Sequence, residues 1–389
     1  MFSVIAPDRK RIAAIVLSFA ALILAACDVP VSNGPRINAN APVPVALLVP
    51  GGSAESSDLL LAESLENAAR LAMADLQGAE IDLRVYNTAG QADFATVAAQ
   101  QAVNDGAKVI LGPVFAEAAN AAGIVAASRG VNVLAFSNNP SIAGGNVFIL
   151  GQTFDTSARR LVRYALSQGK SSIHIAHGND ASETAARNAI GDAIALEGAV
   201  LAGVTSFDLT QQGVVDAIPR IIDDIRLSGA DVIFLTSGTS GALPFLAQLL
   251  PEAGLDPTDI QYVGLQRWDI PASAMTLPGL QGGWFVRPDP GLSTLFAERY
   301  TAAYGGAPHP IAGLAYDGIA AIGALASQGQ ADALTTGALT QAAGFAGVNG
   351  VFRLLPDGTN ERGLAVSQIF ENQVIVIDPA PRSFGQPGL

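Results

Sequence analysis

The chain has 389 residues, with 34 acidic against 21 basic side chains and a formal net charge of −13. That excess excludes recognition of nucleic acid or of anionic lipid headgroups through bulk electrostatics. Half of the residues are hydrophobic and the length exceeds what one core serves, so a folded chain of two lobes is expected, not a disordered one.

Residues 1–26 read as an export signal: Arg9, Lys10 and Arg11 give a basic start, and Ile12 to Ala26 is uncharged. That run is short of the roughly 20 residues that a spanning helix needs. Leu24-Ala25-Ala26-Cys27 resembles the lipobox of bacterial lipoproteins. The resemblance implies cleavage before Cys27, acylation of that residue, and a lipid anchor in the inner or outer membrane of a Gram-negative bacterium. Cys27 is the only cysteine, so no thiol remains for disulfides or catalysis. Residues 27–43 are rich in Pro, Asn, Gly and Ser, which suits a flexible tether.

From residue 44 short apolar runs and helical periodicities alternate. "PVALLVP" is a strand, 57–76 a helix, "IDLRVYNT" a strand, 92–104 a helix, "KVILGP" a strand, 115–129 a helix and "VNVLAF" a strand. After Gly151 the alternation resumes: a helix from Asp155 to Gln168, "SSIHIAHG", a helix over 182–197, "AVLAGVTSF", a helix over 213–228, "ADVIFLTS", a helix over 241–253 and "IQYVGL". Alternation without hairpin signals predicts parallel βαβ units, twice over. "GGWFVRP" and an Ala-rich helix around "IAGLAYDGIAAIGALAS" follow. Turn signals at Asp357-Gly358 and Glu371-Asn372 then predict antiparallel hairpins. The expected organisation is a first lobe over 44–140 plus 284–345, a second over 150–265, terminal hairpins over 347–378 and a tail over 379–389.

Little in the chain supports catalysis, metal binding or a cofactor. His174 and His177 are three apart on a strand, hence on opposite faces, and His309 sits between two prolines. Gly169-Lys170-Ser171 lacks the first glycine of a phosphate loop and runs helix to strand, and Ser240 lacks the last glycine of a nucleophile elbow. Asp180, Glu183 and Asp269 read as solvated acids. What remains is six loops at the carboxyl ends of strands, where open parallel sheets hold ligands. They are 51–56, 112–120 and 136–142 in the first lobe, and "HGNDAS", "TSGTSG" and "GLQRWD" in the second. Small or hydroxylic residues before helices there leave backbone N–H groups free for a carboxylate.

"VILGPVFAEAANAAGIVAASRGVNVLAFSNNP", "LAYDGIAAIGAL" and "LPEAGLDPTDIQYVGLQ" resemble segments of the type 1 periplasmic binding proteins, in their leucine-binding branch. The resemblance covers about 44–378 and implies an α/β fold of two Rossmann-like lobes joined by three crossovers, near 137–152, 264–283 and 335–350. Transport members grip an amino acid. Carried over, the carboxylate positions fall at Phe115, Ala116 and Glu117 and at Ser137, Asn138 and Asn139; the loops themselves add Ser53, Thr239 and Trp268 as cleft candidates. The aromatic position falls at Ser182 and the acidic position at Gln266, neither of which matches, and Asp269 or Glu117 could substitute for the acid. An unpartnered ammonium is costly to bury. Gly347 to Arg362 is similar to the terminal hairpin of the penicillin-binding-protein activators. The expectation is therefore a non-enzymatic periplasmic lipoprotein docking to a peptidoglycan synthase. The alternative is a substrate-binding lipoprotein delivering an amino acid or other small polar ligand to an ABC permease.

Overall fold

The computed structural model describes residues 34–38 and 40–385; Cys27, the lipobox and the export signal lie outside them. Nine strands and seven helices account for the chain from Val43 to Gly264. They are β1 (Val43–Val49), α1 (Ser56–Asp75), β2 (Ile81–Asn87), α2 (Ala92–Asn104), β3 (Val109–Leu111), α3 (Ala116–Ala127), β4 (Asn132–Ala135) and β5 (Val147–Ile149), then α4 (Phe154–Ser167), β6 (Ser172–Gly178), α5 (Ala181–Glu197), β7 (Val200–Phe207), α6 (Gln211–Ser228), β8 (Val232–Leu235), α7 (Leu243–Glu252) and β9 (Gln261–Gly264).

Strands β1 to β5 form one parallel sheet in the order β2-β1-β3-β4-β5. Alternate residues of a strand face opposite layers. Val45, Leu47 and Val49 of β1 accordingly join the core under α1, while Ala46 and Leu48 join the core under α2 and α3. Ala98, Ala99, Ala102, Ala119, Ala122 and Ala126 line the latter, and their small side chains let the two helices lie close on the sheet. In the second lobe β7-β6-β8-β9 is likewise parallel, with α4 and α5 on one face and α6 and α7 on the other.

The chain then crosses between lobes more than once. β10 (Trp284–Arg287) pairs in parallel with β9, α8 (Pro290–Tyr304) and α9 (Gly313–Ala326) pack on the first lobe, and a short α10 (Thr336–Leu339) follows. β11 (Phe345–Gly347), β12 (Gly350–Leu354) and β13 (Asn360–Arg362) make a small antiparallel sheet against α9. β14 (Ala365–Phe370) and β15 (Gln373–Asp378) return to the second sheet, antiparallel beside β10. Two expectations therefore need correction. Residues 284–287 belong to the second sheet and not to the first lobe, and the terminal hairpins are divided between the lobes. The crossovers lie at 150–153, 288–289 and 363–364, so the first falls where the sequence places it and the other two come later.

Ile37 is buried, and its N–H donates to Ala331 O at 2.8 Å; nearby Asn132, at the start of β4, donates its amide to Leu334 O. The described chain thus enters at the amino edge of the first sheet, away from the strand ends that carry the loops. No helix among the described residues is long and apolar enough to cross a membrane.

Candidate functional site

All six expected loops follow the carboxyl ends of parallel strands: β1, β3 and β4 in the first lobe, and β6, β8 and β9 in the second. The first crossover leaves the carboxyl end of β5 and the second leaves that of β10, so both carboxyl edges abut where the lobes join.

In the first lobe, Phe136 N–H donates to Pro113 O at 2.9 Å and ties the β4 loop to the β3 loop. Ser137 is buried; its Oγ accepts from Asn139 N–H at 3.1 Å, and Asn139 Oδ1 accepts from Ser141 N–H at 3.0 Å. Asn138 is exposed. Phe115 stands at the N-cap of α3 and cannot cap it, so the first N–H groups of that helix, from Ala116 and Glu117 onward, have no side-chain acceptor. Glu55 and Gln91, heading α1 and α2, are equally without a capping bond. In the second lobe, by contrast, Asp180 Oδ1 accepts from Glu183 N–H at 2.7 Å and closes the end of α5. α7, headed by Ala242, also lacks a side-chain cap, but uncapped helix ends after the strands are more numerous in the first lobe, where they can receive an anion. Ser53 is engaged locally: its hydroxyl donates to Asp58 at 2.8 Å and accepts from Glu55 N–H.

In the second lobe Thr239 donates to Ile270 O at 2.7 Å, joining the β8 and β9 loops. Gln266 is exposed and lies against Gly238, where a Cβ would come within 2.3 Å of its Oε1. Asp269 is taken up by two cations, Arg267 at 2.5 Å and Arg287 at 3.5 Å. Burial, and then the neighbouring Arg267, push the Arg287 pKa down while Asp269 opposes them. This corner therefore carries two guanidinium groups on one carboxylate. Glu117, exposed in the first turn of α3, has no cation within ion-pairing distance among the described residues.

Trp268 is not a cleft residue. It is 0% exposed in the core between the second sheet and α6 and α7, 6.4 Å from Phe285 and fitted over Gly264 and Gly283. Ser182 is exposed, as a small polar residue can be. His174 and His177 are both buried, the first against Thr205 and the second with Nδ1 2.6 Å from Gly178 O, so they share no ligand.

Glu183 is the residue that sequence reasoning undervalued. It is 8% exposed, and its carboxylate accepts from Gly178 N–H at 2.7 Å, Thr236 Oγ1 at 2.6 Å and Ser237 Oγ at 2.6 Å. No cation pairs with it among the described residues; its charge is met by neutral donors from the ends of β6 and β8. Asp180 and Glu183 have the spacing of a capping box, and that signal was available. The glutamate turns instead to Gly178.

Asp317 and Arg362 form a second buried group, 3.1 Å apart. Asp317 also accepts from Val348 N–H at 2.8 Å and Asn349 Nδ2 at 3.0 Å, while Arg362 Nε donates to Leu150 O at 2.8 Å in the first crossover. Asn360 Nδ2 donates to Ile149 O at 2.7 Å and Gly151 O at 2.8 Å. The stretch from Gly347 to Arg362 thereby fastens α9, the small sheet and the first crossover together.

Residues 42–373 match the model of a family described as periplasmic binding protein. Among solved structures, a Rhodospirillum rubrum protein described as a branched-chain amino acid ABC transporter is 19% identical, with 87% of this chain and 100% of that one covered and a TM-score of 0.74. A substrate-binding protein of Desulfitobacterium hafniense in complex with Leu is also 19% identical, with coverages of 87% and 100% and a TM-score of 0.65. A solute-binding protein of R. palustris in complex with benzoate is 16% identical, covered at 90% and 99%, with a TM-score of 0.58. No curated protein matches. At these identities the likeness is one of fold.

Proposed function

The chain belongs to the periplasmic binding protein family, and from that premise we propose that it is a non-catalytic solute-binding protein. It serves an ABC importer from the periplasm, held at a membrane through lipid on Cys27, and its ligand is a small organic carboxylate without an α-ammonium group. Solved relatives of the fold hold Leu and benzoate, two ligands that share only the carboxylate. In this chain the uncapped end of α3 and the buried Ser137 supply donors for that group.

The observation that carries the reading is the second-lobe corner, where Gln266 is neutral, Asp269 is already matched by Arg267 and Arg287, and Glu183 spends both oxygens beneath the loop. A ligand ammonium at the Gln266 position would find Asp269 and Glu183 already engaged, and burying it unpaired costs several kcal/mol. Titration calorimetry with leucine and with its 2-oxo analogue compares two ligands of the same carbon skeleton and carboxylate, one with an ammonium at C2 and the other with a neutral carbonyl there. The oxo acid is expected to bind at least about tenfold more tightly, a difference of about 1.4 kcal/mol. Glu117→Gln removes an acid from the carboxylate end and should raise that affinity about two- to fivefold. Tighter binding of leucine, weakened by Glu117→Gln, would refute the carboxylate reading and make Glu117 the ammonium partner.

The second reading is docking to a penicillin-binding protein as a regulator of peptidoglycan synthesis. It is favoured by the mismatch of Gln266 and Ser182 to an amino-acid site. The order Gly347 to Arg362, which also suggests it, has a sufficient cause in the buried Asp317–Arg362 group. Co-purification with a synthase, and stimulation of its glycan formation, would favour docking over transport.

A further inference from the structure

Beside the first crossover, one ion pair runs from lobe to lobe. Arg159 stands in the second turn of α4, in the second lobe, and its Nη1 donates to Glu361 of β13, in the small sheet of the first lobe, at 3.0 Å. Among the described residues no other ion pair joins the lobes. Arg70 with Glu66, Arg84 with Asp82, Arg299 with Asp75, Arg353 with Glu361 and Arg362 with Asp317 stay within the first lobe. Arg159 and Arg163 with Glu197, Arg160 with Asp378, and Arg267 and Arg287 with Asp269 stay within the second.

The pair differs from its buried neighbour in what its loss leaves behind. The side chains of Arg362 and Asp317 are 3% and 0% exposed, so parting them strands a charge in the interior. Those of Arg159 and Glu361 are 37% and 24% exposed, and each has a second counter-charge in its own lobe. Arg159 Nε donates to Glu197 at 2.8 Å, and Glu361 accepts from Arg353. When the pair opens, neither partner is orphaned. Both also line a cavity of about 390 Å³ between α4, α5 and the turn joining β12 to β13, which leaves them room to part. An ion pair this exposed adds little to stability. It is suited to being made and broken.

Its position makes it sensitive to lobe movement. The first crossover is fixed to the first lobe by Asn360, which donates to Ile149 O and Gly151 O, and by Arg362, which donates to Leu150 O. Arg159 lies beyond that anchor on a regular helix, about 9 Å along the axis from Thr153. A rotation of about 20° about the crossover, of the hinge kind by which such lobes close on ligands, therefore carries it roughly 3 Å and parts the pair.

We propose that Arg159 and Glu361 form a breakable latch, which holds the arrangement of the lobes described above and loosens as ionic strength rises. On the solute-binding reading, from which this follows, the latch sets the fraction of molecules competent to bind and with it the apparent affinity.

Small-angle X-ray scattering of the full chain, with no ligand added, tests it. Glu361→Gln removes the charge and keeps an acceptor for Arg353; it is expected to shift the radius of gyration and the pair-distance distribution. Arg159→Gln should shift them in the same sense, and the double variant no further than either alone, as for two ends of one contact. Raising NaCl from about 0.1 M to about 1 M shortens the screening length from about 10 Å to about 3 Å. That should move the unaltered chain in the same direction and leave Glu361→Gln where it is. Glu66→Gln removes an equal charge from a pair confined to α1 and should change nothing. Profiles of Glu361→Gln and Arg159→Gln that superimpose on the unaltered chain overturn the proposal. So do additive shifts, and so does an equal shift in Glu66→Gln, which would be an effect of net charge. Either single variant decides if circular dichroism shows that the other has not folded. No ligand enters the experiment, so its outcome is separate from the success or failure of the oxo-acid reading.

Discussion

His174 shows how a single buried base can set a pH limit. Thr205 donates its hydroxyl hydrogen to Asp224 at 2.6 Å, so the 2.9 Å contact to His174 makes the imidazole the donor through Nε2. Nδ1 then faces Gly203 with no partner, and a proton placed there would be buried without an acceptor. Burial accordingly pushes the His174 pKa below its usual 6.5, against a weaker opposite pull from Asp224. His309 is pushed down by burial as well. In the unfolded chain both rings take a proton near pH 6.5, so the unfolded state binds more protons there and folding stability rises with pH. Stability should be full above about pH 7 and fall as pH drops through 6.5 towards 5, by at most about 1.4 kcal/mol per pH unit for each ring. Urea unfolding across that range checks it, and His174→Gln, which keeps a donor for Thr205, should remove part of the slope. An unchanged slope in that variant would clear His174. The pairing with Thr205 was not legible in the sequence, because Thr205 lies on another strand. Nor was the cage of Glu183, whose donors Thr236 and Ser237 lie more than fifty residues away.

At the level of elements the sequence was far more informative, since strand alternation and helical periodicity are local properties. Every strand from β1 to β9 except the three-residue β5, which the sequence reading does not assign, and every helix from α1 to α7 falls where the periodicity predicts, and the six loops follow with them. The assignment failed at β10, because "WFVR" is equally good as a strand of either sheet and its partners β9 and β14 are set by tertiary packing. Trp268 failed for a related reason: two residues from Gln266, it turns inward because Gly264 and Gly283 leave room for an indole. A Cβ at Gly264 would lie 2.3 Å from Trp268 Cε2 and Nε1. Gly264→Ala should therefore cost about 1–3 kcal/mol by overpacking and alter the near-ultraviolet dichroism of the tryptophans. Gly191→Ala, inside α5 with nothing within 4 Å of the new Cβ, should instead stabilise by up to about 1 kcal/mol. Equal effects from the two substitutions would contradict this packing account.

For the whole molecule, what matters is how few devices join two lobes that each have their own cores. The cores under the first sheet and those under the second share no residue. The joint is made by crossover segments, stitched by Asn360 to Ile149 and Gly151, by Arg362 to Leu150 and Asp317, and by Arg160 Nε to Leu364 O at 2.9 Å. A buried ion pair that loses one partner leaves an uncompensated charge, at a cost of about 3–5 kcal/mol. Arg362→Met should exact that cost by orphaning Asp317 and also free Leu150 O from its side-chain donor. Because the damage falls on the joint and not inside either core, the lobes should lose cooperativity before they lose structure. The unaltered chain is expected to melt in one calorimetric transition, and Arg362→Met combined with Asn360→Ala in two, with the calorimetric enthalpy divided between them. Adding Asp317→Leu removes the stranded charge and should recover part of the stability without rejoining the transitions, since the bonds to Leu150, Ile149 and Gly151 stay absent. A single transition merely displaced to lower temperature would mean that the lobes are held together by contacts beyond these crossovers.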